Sequence, residues 1–425
     1  GLGLIVTGVA RDQDTPDLQS INNTNALVGG IDGWTFFGKN RDWALMGRFA
    51  YSSVFGTEER ITRLQKTSTH YYQRPDFESV SLDTTRTALS GYMGRFGFLK
   101  MRGNFQFQTA LGFISPGFNV NDLGYNRYGN LLNMHVVCGY RWLEPTSWYR
   151  RLYLNVMTSR NFDYDGNRLF QQYYFAGSML LLNYLSFNTS FQYTPDGLDL
   201  FDTRGGPIIA YPGYTYSNFT IQTDSRKTIQ GALSGSYNNG MDGSYSKDLG
   251  VGLILKASSS MKFTLSADYS WALNHQQWVN NLENPAAEYG HHYIFGTIDQ
   301  KVASATVRLD WGLTQRLSLQ CYLQPFIAVG DYDDFKELAR ARSYDFNPYD
   351  YTEHDPDFNY KSFKGNVVLR WEYLPGSLLY FVWTQDRGNY DRPGEFRLGK
   401  DLQTLFGAQA NNIFFVKMSY NISVF

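Results

Sequence analysis

Between Gln300 and Gln324 apolar and polar residues alternate one by one. Ala303, Ala305, Val307, Leu309 and Trp311 fall on one side, and Ser304, Thr306, Arg308 and Asp310 on the other. After the break Leu313-Thr314-Gln315-Arg316 the alternation resumes, with Leu317, Leu319, Cys321 and Leu323 against Ser318, Gln320, Tyr322 and Gln324. A period of two marks a strand, and two such runs across a short break predict an antiparallel hairpin. The signature recurs. In Met261–Trp271, Phe263, Leu265 and Trp271 oppose Lys262, Thr264 and Asp268; in Gly103–Ile114, Phe105, Phe107, Leu111 and Phe113 oppose Asn104, Gln106 and Gln108. Hairpins are predicted at 24–37 with 43–55, 85–97 with 103–114, 128–143 with 148–160, 168–182 with 185–193, 214–223 with 227–237, 247–257 with 261–271, 291–312 with 316–328, and 363–373 with 377–385. Single strands at 1–10 and 412–425 bring the total to about eighteen.

Short turns and long polar loops take turns along this order. Leu374-Pro375-Gly376 is a tight turn by composition, while 56–84, 194–213, 272–290, 330–362 and 386–409 are predicted as long loops. Strands of about 10 residues at ~3.3 Å each, tilted ~40°, rise about 25 Å, the height of the apolar band of an outer-membrane barrel. Soluble sandwiches mostly use strands of about 5–6 residues.

Composition sharpens this. The chain has 32 Tyr, 31 Phe and 40 Gly, yet its mean hydropathy is −0.39 and no apolar run approaches the length of a membrane-spanning helix. Aromatic-rich but polar on average is the balance of a barrel in which only alternate residues meet lipid. The predicted fold is therefore all-β: a transmembrane antiparallel up-and-down β-barrel of about eighteen or more strands, with long extracellular loops and short periplasmic turns, in the bacterial outer membrane. Phe263, Leu265, Trp271, Val307, Leu309, Trp311, Leu319, Leu323 and Trp371 are the expected lipid-facing residues. An even strand number puts both chain ends on the periplasmic side. In the last strand Phe414, Val416, Met418, Tyr420, Ile422 and Val424 share a phase that leaves Phe425 on the opposite parity.

Candidate chemistry is sparse. A net charge of −1 gives no footprint for nucleic acid. Cys138 and Cys321 both sit in strand patterns and read as small hydrophobes. Asn121, Asp122 and Arg127 mark a loop constriction or ligand contact, or else a turn ordered by its Asn and Asp side chains. The acids of 330–362 lack the glycine and terminal Glu of a calcium loop, and the adjacent His291 and His292 point to opposite faces of a strand. Loop aromatics such as Trp278, Tyr344, Tyr349, Tyr351 and Tyr360 suit either sugar stacking or packing. No nucleophile elbow, zinc-protease motif or phosphate loop occurs; neither catalysis nor a cofactor or metal is expected.

Three stretches resemble a Gram-negative outer-membrane barrel family whose members usually begin with a domain similar to family 9 carbohydrate-binding modules. They are His70-Tyr71-Tyr72-Gln73-Arg74-Pro75-Asp76, Ser115-Pro116-Gly117-Phe118-Asn119-Val120-Asn121-Asp122-Leu123-Gly124, and Leu369–Ser377 running on to Val382-Trp383-Thr384-Gln385. The resemblance implies that residues 1–425 form the C-terminal barrel domain of a longer protein, with further strands before Gly1 and a link to glycan handling. It brings no catalytic residues. The leading expectation is a transport pore or a membrane anchor and platform, with outer-membrane lipid, other membrane proteins and a glycan ligand as partners. A structural subunit of a multi-protein assembly and a membrane-embedded hydrolase are the alternatives.

Overall fold

Single-residue alternation becomes strand in the computed structural model, which describes residues 1–422. Phe425 lies outside the described residues. The strands are β1 (Leu2–Ala10), β2 (Asn25–Phe37), β3 (Trp43–Phe55), β4 (Ala88–Lys100), β5 (Phe105–Ile114), β6 (Leu131–Trp142), β7 (Tyr149–Phe162), β8 (Arg168–Leu181), β9 (Ser186–Thr194), β10 (Gly197–Asp199) and β11 (Ile209–Tyr211). They continue with β12 (Tyr214–Gln222), β13 (Ile229–Gly240), β14 (Tyr245–Ser258), β15 (Met261–Glu283), β16 (His291–Gly312), β17 (Leu317–Leu338), β18 (Phe346–Pro348), β19 (Phe358–Leu374), β20 (Ser377–Asp391) and β21 (Ala410–Ser419). Three helices lie in loops: α1 (Pro16–Ile21), α2 (Glu58–Gln65) and α3 (Leu398–Gly407).

Nineteen strands form one antiparallel sheet. Leaving aside the three-residue β18, eighteen long strands each pair with the next along the chain, β9 passing to β12 and β17 to β19. Among the described residues β1 pairs only with β2, and β21 only with β20. Those two edge rows of backbone groups need partners in any lipid environment. The sheet curls round on itself, because loops from well-separated strands meet. Arg342, between β17 and β18, donates from Nη1 to Asn167 Oδ1 between β7 and β8 at 2.5 Å.

Register sorts the side chains into two faces. Phe263 pairs with Leu309, Leu265 with Val307, Val307 with Leu323, Trp311 with Leu319, and Leu317 with Trp371. All nine expected lipid-facing residues therefore share the outer face, along with both cysteines, which are free. Aromatic belts bound this face. On the short-turn side Trp43 stacks on Phe98 at 5.0 Å, and Trp311 and Trp371 lie at the same end. On the long-loop side Trp271 meets Tyr245 edge-on at 5.4 Å. Trp271 pairs with Lys301, and the ten residues from there to Trp311 span about 33 Å of strand, or about 25 Å of height at ~40° tilt.

Several predicted loops contain regular structure. β15, β16 and β17 continue past the belt, so the segments 272–290 and 330–362 hold strand up to Glu283 and Leu338, and again from Phe358. Alternation vanishes there because polar runs such as Asn274-His275-Gln276-Gln277 and register shifts such as Asn274/Gln277 and Trp278/Asn280 interrupt the period of two. The long-loop end also has two short links, 163–167 and 241–244, so loop length does not alternate strictly. At the Leu374–Ser377 turn Gly376 adopts φ +75°, a conformation that a side chain would strain.

Candidate functional site

Below the long-loop end the inner face carries charged and polar side chains. Asp32, Arg48 and Arg95 pair at one level of β2, β3 and β4 and line a recess of about 310 Å³ with Gln108. Arg95 also reaches Asn133 Oδ1 and the ring of His135, both at 3.5 Å. Further round, β13–β16 form a recess of about 460 Å³ with Asp248, Asp268, Ser236 and Ser304, where Ser236 Oγ donates to Asp248 at 2.6 Å. One wall is thus rich in cations and another in carboxylates.

Towards the long-loop end the inner face turns apolar, and loops dock on it. Thr57 caps α2 by accepting from Arg60 N at 3.2 Å. The helix then presents Ile61 and Leu64 to Ala26, Val54 and Leu89 on the inner wall, with Tyr72 and Phe77 of the same loop completing a buried cluster. The loop 115–130 lies beside it. Asn119 N donates to the buried Ser52 Oγ at 2.9 Å, and backbone packs on backbone at Gly91 and Gly117. A Cβ on Gly91 would sit 2.1 Å from Phe118 N, and one on Gly117 2.2 Å from Ser90 O.

His70 joins the two loops. Its Nδ1 lies 2.7 Å from Pro116 O, so that nitrogen carries the proton, and its Nε2 lies 3.1 Å from Asn119 Nδ2, which donates to it. Burial holds the imidazole at a pKa of about 4, well below the usual 6.5. Farther across, Asp76 Oδ2 accepts from Ile208 N at 2.6 Å, and Arg342 N donates to Ile208 O at 2.7 Å. Asp165 accepts from Glu78 N and Ser79 N. Five loops thereby form a cap across the mouth.

Asp122, Asn121 and Arg127 lie at the cap's margin. Asp122 holds Arg11 at 2.5 Å and Asn23 at 2.6 Å, tying the first loop to 115–130. Asn121 closes a local turn through its amide and Asn126, and the Arg127 guanidinium lies 5.2 Å from the Tyr128 ring. The structure brings the first two into loop-ordering roles.

The other candidates are dispersed. Trp278 packs in a second buried cluster with Tyr293 and Phe295, Tyr344 donates to Asp242, and Tyr351 bonds His354 at 2.7 Å. The Tyr349 ring lies tilted 5.4 Å from that of His292, which pairs with Glu337, whereas Tyr360 is exposed. Among the described residues no group of three His, Cys, Asp or Glu side chains is placed to hold a metal ion. Ser52, His70 and Asn119 escaped sequence reasoning as a site. The available signal was that they or their neighbours lie in the stretches 70–76 and 115–124, which meet in the cap.

The fold and site define a β-barrel architecture with an apolar outer band and a loop-capped mouth. The chain belongs to the family described as "Domain of unknown function (DUF5916)", whose model matches residues 18–424. No curated protein matches it. Among solved structures it is similar to the siderophore receptor PirA from Acinetobacter baumannii (8% identity, 98% of this chain and 73% of that one, TM-score 0.43). It is also similar to the ferric enterobactin receptor PfeA (8% identity, 98% and 72%, TM-score 0.42). A bacterial polysaccharide outer membrane secretin aligns with 77% of this chain and 89% of its own at 6% identity and TM-score 0.31.

Proposed function

We propose that the chain is a non-enzymatic outer-membrane barrel forming a passage for polar solutes, held shut on the extracellular side by its own loops. The location rests on physical grounds. An apolar outer band of about 25 Å between aromatic belts fits a bilayer core, and among the described residues the antiparallel pairing satisfies the backbone groups of every long strand except along the outer edges of β1 and β21.

The observation that carries the passage reading is the change of character along the inner wall. Below the cap it bears Asp32, Arg48 and Arg95, charges costly to enclose without water or a polar solute; above, it is apolar and covered. The link to glycan handling implied by the family resemblance makes a glycan fragment the first solute to try.

The test is electrical. In planar bilayers the intact protein passes little current, and replacing 58–86 by a short Gly–Ser linker opens a steady conductance. A variant that folds as a barrel yet stays silent removes the passage reading. The membrane anchor and platform then stands, favoured by the size of the cap's buried cluster.

A further inference from the structure

The loop between β20 and β21 folds outward. Lys361 lies on the outer face, since it pairs with Ile327 and Asn389, and is 1% exposed. Its ammonium lies 2.8 Å from Asp391, 3.1 Å from Asn389 and 3.8 Å from Asp401 of α3. Asp401 also accepts from Asn359 Nδ2 at 3.1 Å and Arg397 N at 2.7 Å. A buried charge so partnered resists separation, because parting it would leave an uncompensated charge. α3 is therefore pinned against the outer wall.

Between this clasp and the wall runs an apolar groove of about 450 Å³, floored by Ala267, Ala303 and Ala305 and flanked by Leu249, Phe396 and Leu402. Its volume falls within the range of ligand sites, roughly 300–1,000 Å³. One step along β14 towards the long-loop end, on the same face as Leu249, stands Lys247. Its ammonium lies 4.8 Å from the Tyr245 ring and 5.1 Å from the Trp271 ring. Lys301 at that level is paired with Asp299 at 3.2 Å; Lys247 is exposed and, among the described residues, in no ion pair.

A single cation at the aromatic belt with an apolar groove beneath it matches one chemistry. We propose that this groove holds an acyl chain of an anionic, phosphate-bearing lipid of the outer leaflet, with the phosphate on Lys247. The small floor leaves room for the chain, α3 encloses it from the bilayer side, and the lysine meets the headgroup at the depth where such groups lie.

The proposal rests on the outer face meeting lipid, and the experiment separates the two. Purified protein is first inserted into phosphatidylcholine vesicles, then examined by native mass spectrometry in detergent with equal phosphatidylglycerol and phosphatidylcholine of the same chains. The expected result is one retained lipid per protein with about a five-fold preference for phosphatidylglycerol, the size of one interfacial lysine's contribution. Lys247→Gln abolishes the preference and keeps the retained chain, whereas Lys262→Gln on the inner wall keeps both. Ala303→Leu, an apolar change on a lipid-side strand, folds normally and loses the retained lipid. Failure to insert overturns the lipid-facing reading and the site together. Insertion with equal retention of the two lipids, or undiminished retention in Ala303→Leu, overturns the site alone.

Discussion

Acidification should open the cap through His70. The neutral imidazole is buried between Pro116 O and Asn119 with a pKa of about 4 against 6.5 when free. As pH falls the open state takes up the proton first, so this stabilisation is complete above pH 6.5 and declines between 6.5 and 4. Between pH 7.5 and 4.5 the loss comes to roughly 2.5 kcal/mol, out of about 3 kcal/mol for the full shift. The opening equilibrium would rise by nearly two orders of magnitude. Hydrogen exchange read by mass spectrometry, corrected for the intrinsic pH dependence of amide exchange, reports this directly. Peptides spanning 66–77 and 115–124 should lose protection at pH 4.5, while those from β6 and β7 should not. His70→Gln removes the titration and keeps a donor for Pro116, so the wild-type difference between the two pH values should collapse in that variant. Equal pH dependence in both proteins would refute the assignment, since carboxylates elsewhere in the cap would then be responsible.

Three further outcomes follow from the same geometry. Gly91→Ala places a methyl 2.1 Å from Phe118 N and should destabilise the docking of 115–130 by about 2–3 kcal/mol; trypsin should then cut at Arg127 while the heat-modifiable gel mobility of the barrel is retained. Val307→Arg sits midway between the belts on the outer face and should cost about 2–4 kcal/mol in urea titrations of vesicle-inserted protein, whereas Thr306→Arg on the inner face should cost under about 1 kcal/mol. Equal costs at the two positions would invert or remove the assignment of the faces. Lys361→Met leaves Asp401 buried beside Asn359 and should loosen α3 by about 2–3 kcal/mol, below the full penalty of a broken buried pair because Asp391 is half exposed; faster hydrogen exchange confined to 396–407 is the readout.

The strands were legible wherever the outer face is apolar and the inner face polar, because that contrast writes itself into the sequence at period two. Phe263–Trp271 and Val307–Trp311 are the plainest cases, and the register confirms their shared face. Legibility ends at the belts. Above Trp271, β15 carries two register shifts, at Asn274/Gln277 and Trp278/Asn280, that break the period of two, so Asn274–Glu283 lost its signal although it continues as strand. α2 has eight residues and only two buried apolar ones, Ile61 and Leu64, too few to show a period. α3 is different, since Leu398, Leu402, Leu405 and Phe406 stand at helical spacing; the signal is present and is obscured by the polar residues around it. The cap could not be read from local pattern at all. His70 and Asn119 are 49 residues apart, and nothing in either stretch names the other.

The two docked helices share one physical cause. Along most of the sheet the outer face is apolar and the inner face polar, but near the long-loop end the rule inverts twice. Ala26, Val54 and Leu89 put apolar groups on the inner face, and α2 settles there. Asn359, Lys361, Asn389 and Asp391 put polar groups on the outer face, and α3 settles there with Asp401. In each case a bare wall would set the wrong surface against its solvent: apolar side chains against a wet lumen, or a charge against lipid. Covering the misplaced patch removes that cost, and the loop is positioned as a result. A break in inside–outside parity therefore marks where a loop returns to the barrel. Both capping the mouth and enclosing the groove depend on such breaks, and that is why substitutions restoring parity, polar at Leu89 or apolar at Lys361, should release the loops while leaving the strands in register.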